Sequence, residues 1–194
     1  MNPSSEEILE RAFHRLKEGS FEEAEEAFTN YLLIEPRDPK PYSGRGTARF
    51  QLKNWAAAVL DFKKAKELDP EDLENWIGLA MSLAMENKIY EAIETFEVLL
   101  SKHPHFVRAH IQLGQLYYRL GIIKKGHTHM DLALLSRPNL AERRMVEQVK
   151  KEQLQMDKKR IYRPDFEALR KQKASSPPPA WLKKITDFFR RKSR

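Results

Sequence analysis

Apolar residues in this chain recur at helical spacing, and the helical pattern is itself repeated. Over residues 5–140, apolar positions three and four apart alternate with short polar turns, which predicts a series of amphipathic helices and no strand. Prolines mark the phase, because Pro36, Pro70, Pro104 and Pro138 stand 34 residues apart. Small residues lie twelve positions before each of them, at Ala24, Ala58, Ala92 and Gly126, and twenty-four before, at Ala12, Gly46, Ala80 and Gly114. Eight before is a bulky apolar residue: Phe28, Phe62, Phe96 or Met130. Small residues belong where paired helices cross closely, and bulky ones fill the space between neighbouring pairs. Proline steers the residue before it out of the α region and so ends a helix. The turns within each pair read Glu18-Gly19-Ser20, Lys53-Asn54, Asn87-Lys88 and Leu120-Gly121, where Gly and Asn tolerate positive φ.

These columns resemble the tetratricopeptide repeat (TPR), a helix–turn–helix unit of 34 residues. The second unit carries Tyr42, Gly46, Ala58, Phe62, Ala65 and Pro70; the third carries Trp76, Leu79, Ala80, Ala92, Phe96 and Pro104. The fourth carries Leu113, Gly114, Tyr117, Ala133 and Pro138, with Gly126 and Met130 in place of the usual Ala and aromatic, which predicts a looser second helix. The first departs most, because Arg11 and Arg15 replace apolar residues, as suits a terminal unit with a solvated face. The expected fold is therefore all-α: a TPR solenoid of about four repeats, 5–38, 39–72, 73–106 and 107–140. A capping helix over 141–163 follows, with Met145, Val149 and Met156 as its apolar stripe. Residues 164–179 read as a short helix and a proline-rich linker, and 180–194 as a basic amphipathic C-terminal helix.

The resemblance implies a concave groove lined by the first helix of each unit. On this chain the lining residues would be Leu9, Phe13 and Leu16; Ser43, Thr47 and Phe50; Ile77, Met81 and Met85; and Ile111, Gln115 and Tyr118, with Arg108 and Arg119 nearby. One TPR subfamily clamps the C-terminal carboxylate of heat-shock chaperones with lysine and asparagine. Here the asparagine-equivalent positions hold Phe13, Thr47, Met81 and Gln115, so chaperone-tail binding is not expected. A largely apolar, methionine-bearing groove suits an amphipathic helix or an extended apolar segment of a protein or peptide partner.

Charge adds a polarity to this picture. Residues 1–100 hold 12 Lys and Arg against 20 Asp and Glu, whereas residues 101–194 hold 23 against 8, giving the net +7 of the whole chain. In the tail, Trp181, Leu182, Ile185, Phe188 and Phe189 fall on one helical face, with Lys183, Lys184, Arg190 and Arg191 opposite. Three uses compete for that face: self-association through the groove of its own or another copy, docking to a separate protein, and an anionic membrane surface. Nucleic acid is the weaker alternative, since 17 Lys and Arg in residues 141–194 supply charge without a recognised motif.

Catalytic and cofactor chemistry is not predicted. There is no cysteine, which excludes thiolate ligands, disulfides and thiol catalysis. No phosphate-binding loop or Gly-x-Ser-x-Gly elbow occurs. Five of the six histidines lie between His103 and His129, but no carboxylate is interleaved as a co-ligand and no metal site is expected. Without a secretory leader or a spanning stretch, the expected location is cytoplasmic, peripheral to a membrane if the tail binds one. The expected role is that of a non-enzymatic scaffold.

Overall fold

The computed structural model describes residues 4–161. Those residues form helices alone: α1 (Ser5–Glu18), α2 (Phe21–Ile34), α3 (Pro39–Gln51), α4 (Trp55–Leu68), α5 (Leu73–Met85), α6 (Ile89–Lys102), α7 (Val107–Arg119), α8 (Ile123–Leu135) and α9 (Leu140–Ile161). The expected short helix, the linker and the C-terminal helix, with Trp181, Leu182, Ile185, Phe188 and Phe189, lie outside the described residues. Residues up to Lys150 belong to one compact unit, and those from Lys151 onward to a second. Of the second unit, the described part continues α9, where Gln153 Nε2 donates to Asp157 Oδ1 at 2.8 Å.

Helix boundaries obey the same 34-residue clock as the side chains. The turns inside the pairs place Gly19, Lys53, Asn87 and Gly121 at positive φ, one in each repeat. At the second turn, the left-handed residue is Lys53 and not the neighbouring Asn54. The phase of the repeat decides this, because Asn54 is already the N-cap position of α4. At the starts of the first helices, Ser4, Asp38 and Asp72 accept backbone N–H groups that would otherwise lack partners. Between units, a side chain six residues after each of three repeat prolines closes the loop onto that proline's carbonyl. Tyr42 Oη donates to the Pro36 carbonyl (3.1 Å), Trp76 Nε1 to Pro70 (3.0 Å), and His110 Nε2 bonds to Pro104 (2.9 Å). These three donors are themselves 34 apart, so His110 occupies the Tyr/Trp column.

Units stack by pressing an aromatic ring onto bare backbone. The Phe28 ring covers Gly44 and the Phe62 ring covers Gly78, so closely that a Cβ at either glycine would lie 2.4 Å from a ring carbon. In the fourth unit the equivalent position is Gln112, and α6 and α7 approach less closely than α2 and α3 or α4 and α5 do. The expected looseness of the fourth pair is corrected by its own packing. Met130 is fully buried against Gly114, and the Tyr118 ring occupies the space over Gly126. Glycine and methionine there are a different pair of complementary shapes.

A buried ion network joins the first two units. Asp61 on α4 is 3% exposed and receives Arg45 Nε (3.0 Å), Arg45 Nη2 (2.7 Å) and Arg49 Nη1 (2.8 Å) from α3. Arg49 Nε reaches Glu25 on α2 (2.8 Å), and Arg45 Nη1 reaches Thr29 (3.2 Å). Every group in the network thus has a partner, which a buried charge requires.

The start of α9 closes the far side of the fourth pair. Asn139 and Glu142 form a reciprocal capping box, each accepting the other's backbone N–H at 2.9 Å. Val146 and Val149 then join Val107, Ile111, Tyr118, Met130 and Ala133 in one apolar cluster. The expected stripe of Met145, Val149 and Met156 is therefore corrected: Val149 is buried, but its partner is Val146, while Met145 and Met156 are exposed.

Two substitutions test this account. Gly78→Ala should lower stability by about 1–3 kcal/mol, the usual penalty for overpacking, read as a shift in the urea midpoint without a change in slope. Asp61→Ala should cost about 3–5 kcal/mol by stranding two arginines, and more than the exposed Asp131→Ala in the same assay.

Candidate interaction groove

The odd-numbered helices define an inner face. Within residues 4–150, α1 touches α3, α3 touches α5 and α5 touches α7, whereas successive even-numbered helices do not touch. Such an array curves with the odd helices inside, so their free sides line the concavity. Glu74 on α5 and Arg108 on α7 are paired across it.

The twelve residues expected to line this face divide by burial. Leu9, Phe13 and Leu16 are half-buried on the cluster around Phe28, where the Phe13 and Phe28 rings meet edge to face at 4.9 Å. Ser43 and Thr47 are half-buried, with Thr47 Oγ1 donating to the Ser43 carbonyl at 2.9 Å. Phe50 and Met81 pack half-buried beside the main core, Met85 is 43% exposed, and Gln115 is half-buried. Ile77, Ile111 and Tyr118 must be corrected: Ile77 and Tyr118 are buried and Ile111 is wholly so. Ile111 and Tyr118 pack in the cluster that includes Val146 and Val149 of α9, and Tyr118 Oη shares a hydrogen bond with His127 Nδ1 at 2.9 Å. The face that a guest could touch thus loses Ile77, Ile111 and Tyr118 and keeps Leu9, Phe13, Leu16, Phe50, Met81, Met85 and Gln115, flanked by Ser43, Thr47 and Arg119.

The histidines serve packing at the fourth pair. His110 donates from Nε2 to the Pro104 carbonyl, which leaves Nδ1 as an acceptor for His129 Nδ1 at 3.1 Å. This arrangement needs His110 neutral, and burial favours the neutral form of both rings. Tyr117 stacks on His129 with ring centres 5.5 Å apart and donates to Glu97 at 3.0 Å. Burial, followed by the neighbouring His110 and Lys125, lowers the His129 pKa to about 4. Burial also lowers that of His110, against the favourable Pro104 hydrogen bond, with His105 adding to the decrease. Among the described residues, no group of three His, Cys, Asp or Glu side chains is placed to hold a metal ion. No described helix is long and apolar enough to cross a membrane.

Comparison with known proteins follows the same lines. A tetratricopeptide repeat family model matches residues 9–72. A peroxisomal targeting signal receptor from Kluyveromyces lactis is 30% identical over 118 residues, covering 59% of this chain and 21% of that protein. Sperm-associated antigen 1 from Mus musculus is 31% identical over 86 residues, 44% of this chain and 9% of that protein. The chain thus spans only a small part of the length of these relatives. Among solved structures, MamA superposes with a TM-score of 0.64 at 21% identity, covering 69% of this chain and 78% of that one. The first TPR of Spaghetti (RPAP3), bound to the HSP90 peptide SRMEEVD, superposes with a TM-score of 0.56 at 23% identity, covering 60% of this chain and 93% of that one.

The histidine pair makes stability depend on pH. A folded-state pKa near 4, against an ordinary 6.5, means that the unfolded chain takes up the proton first. Stability is complete above pH 6.5 and should fall as the pH drops from there towards 4. Urea midpoints measured across that range should decline for the natural chain and decline less steeply for His129→Gln.

Proposed function

We propose, on the premise that this is a tetratricopeptide repeat protein, that it is a non-enzymatic interaction module whose inner face receives a peptide segment of another protein. The observation that carries this reading is the open apolar strip of Phe50, Met81 and Met85 on the successive inner helices α3 and α5. Burying such a strip against a guest removes apolar surface from water. Unbranched methionine side chains adapt to guests of different shape. The matching guest is an amphipathic helix that lays an apolar stripe on the strip, or an extended segment with apolar residues at alternate positions. Gln115 and Arg119 at one end supply hydrogen bonds to its backbone or to an acidic flank.

Peptide binding by similar proteins supports the general reading. The Spaghetti domain is described with a chaperone peptide bound, and the fungal relative is described as a targeting-signal receptor. The specific guest differs from the chaperone peptide, because Phe13, Thr47, Met81 and Gln115 stand where the clamp needs asparagine. A carboxylate terminus would meet a phenyl ring, a hydroxyl, a thioether and an amide there.

Panning a random peptide library on the full chain tests both points. Enriched peptides should carry apolar residues at helical or alternate spacing. Met81→Glu with Met85→Glu should weaken them at least about tenfold while helical content and cooperative melting are kept, with a modest drop in melting temperature because Met81 is half-buried beside the core and Met85 exposed. Calorimetric titration with SRMEEVD should give no saturable heat. Enriched peptides unaffected by the paired substitution would remove the inner face as the binding site.

A further inference from the structure

The outer face of α1 and α2 carries a second surface, separate from the inner groove. A cavity of about 500 Å³ lies between these helices, with Arg11 and Arg15 on one wall and Glu23 and Glu26 on the other. Ile8, Ala27 and Asn30 complete its lining. Along α2, Glu23, Asn30 and Ile34 follow at intervals of seven and four, so the last turn of the helix continues the same face. That turn exposes Leu33 by 80% and Ile34 by 58%, among the most exposed large apolar side chains of the described residues. No described helix covers this face.

The repeat supplies an internal comparison for the two arginines. Arg11 and Arg15 stand 34 residues before Arg45 and Arg49, which are held by Asp61 of their own pair and by Glu25 of the neighbouring helix. The position equivalent to Asp61 in the first pair is Ala27, so the internal carboxylate is missing there. Arg15 reaches only Glu23, at 3.6 Å, and Arg11 has no ion-pair partner among the described residues. In the second pair, where these positions are also arginine, they use carboxylates delivered from neighbouring helices.

A further repeat stacked in the ordinary way does not meet that need. The glycine that admits Phe28 at position 44 is replaced by Glu10 in the first pair, so an incoming aromatic ring would find a charged side chain where it needs bare backbone. The face is instead complementary to itself. It has cations on one helix, anions on the antiparallel neighbour, and an aliphatic patch at one end. A two-fold axis running along the helices sets each arginine wall of α1 against a glutamate wall of α2, and sets the Leu33–Ile34 end of each α2 against the Ile8 end of the other copy's α1.

We propose that this outer face is a homodimer interface, in which two copies of the chain pair α1 and α2 across a two-fold axis. Arg11 and Arg15 of each copy then meet Glu26 and Glu23 of the other, and Leu33 and Ile34 leave water against the Ile8 end of the other copy's α1. The inner face of each copy stays open, so the dimer presents two grooves.

Sedimentation velocity of the full chain over a range of concentrations tests this assignment. The natural chain should dimerise reversibly, and more weakly at high salt. Arg11→Glu alone and Glu26→Arg alone should each weaken the dimer at least about tenfold, with helical content and melting unchanged because both side chains are exposed. The double variant should dimerise again, because the swapped charges remain complementary. Mixing the two single variants should give a heterodimer, since one then offers two acidic positions to two basic ones. A chain that is monomeric at every concentration overturns the proposal. So does a dimer indifferent to both single substitutions, and so does a monomer that uses Arg11 to hold a foreign acidic helix. Met81→Glu with Met85→Glu leaves the dimer intact, which separates this surface from the inner groove.

Discussion

Contact between a phenyl ring and a bare stretch of backbone is the constraint from which the rest of this architecture follows. Phe28 on Gly44 and Phe62 on Gly78 set how closely one helical pair approaches the next. That distance decides whether Arg45 and Arg49 can reach Glu25 and Asp61 at once, because charge-assisted bonds of 2.7–3.0 Å allow little slack. It also decides that the inner helices touch while the outer ones do not. Curvature, and with it a concave face, is a consequence of small residues on one layer and bulky ones on the other. Where the glycine is lost, at Gln112, the two helices stand further apart.

The buried ions complement that shape constraint. An aromatic knob on glycine is apolar and tolerates small rotations. The Arg45–Asp61–Arg49–Glu25 network does not, since a rotation of α3 would strand charges in a site where Asp61 is nearly inaccessible. Packing therefore sets separation, and the ions set rotation and register. The third and fourth pairs solve the same problem with neutral groups: Trp76 and His110 bonded to proline carbonyls, and the Tyr117–His129 stack. One repeat length accommodates two chemistries because both leave no buried polar group of the network unpaired.

Periodicity made the helices legible, because each column of small, bulky or proline residues has a single steric cause that acts locally. Gly46, Phe62 and Pro70 announce a helical pair without any knowledge of its neighbours. The features that escaped depend on residues brought together only by stacking. Arg45 and Asp61 are 16 positions apart on different helices, and neither looks unusual in an amphipathic pattern. His110 reads as one of a histidine cluster until it is aligned with Tyr42 and Trp76, when its role as a donor to the loop becomes visible in the sequence itself. The groove was legible as a face but not in its extent. Ile77, Ile111 and Tyr118 share the spacing of Met81 and Met85, yet Ile111 and Tyr118 are enclosed because α9 brings Val146 and Val149 to the fourth pair. Spacing assigns a side of a helix, and only the neighbours decide whether that side is open.

The two ends of the first unit's stack differ for the same reason. At the fourth pair, Val146 stands 34 residues after Gln112 and 68 after Gly78, so α9 continues the phase of the inner helices. With Val149, it meets Met130, a slimmer and more flexible knob than phenylalanine, so a valine there does not exclude it. At the first pair, the corresponding column holds Glu10, and the adjoining columns hold Arg11 and Arg15. A sequence that continued its stack in that direction would need the small residue back and the charges paired. Keeping glutamate at the socket while exposing Leu33 and Ile34 on the neighbouring helix favours an occupant that approaches along charged walls and not through an aromatic socket. The polar substitutions that make the first repeat look degenerate are thus consistent as a set, since each one removes a feature of stacking and replaces it with a group that can be paired from outside.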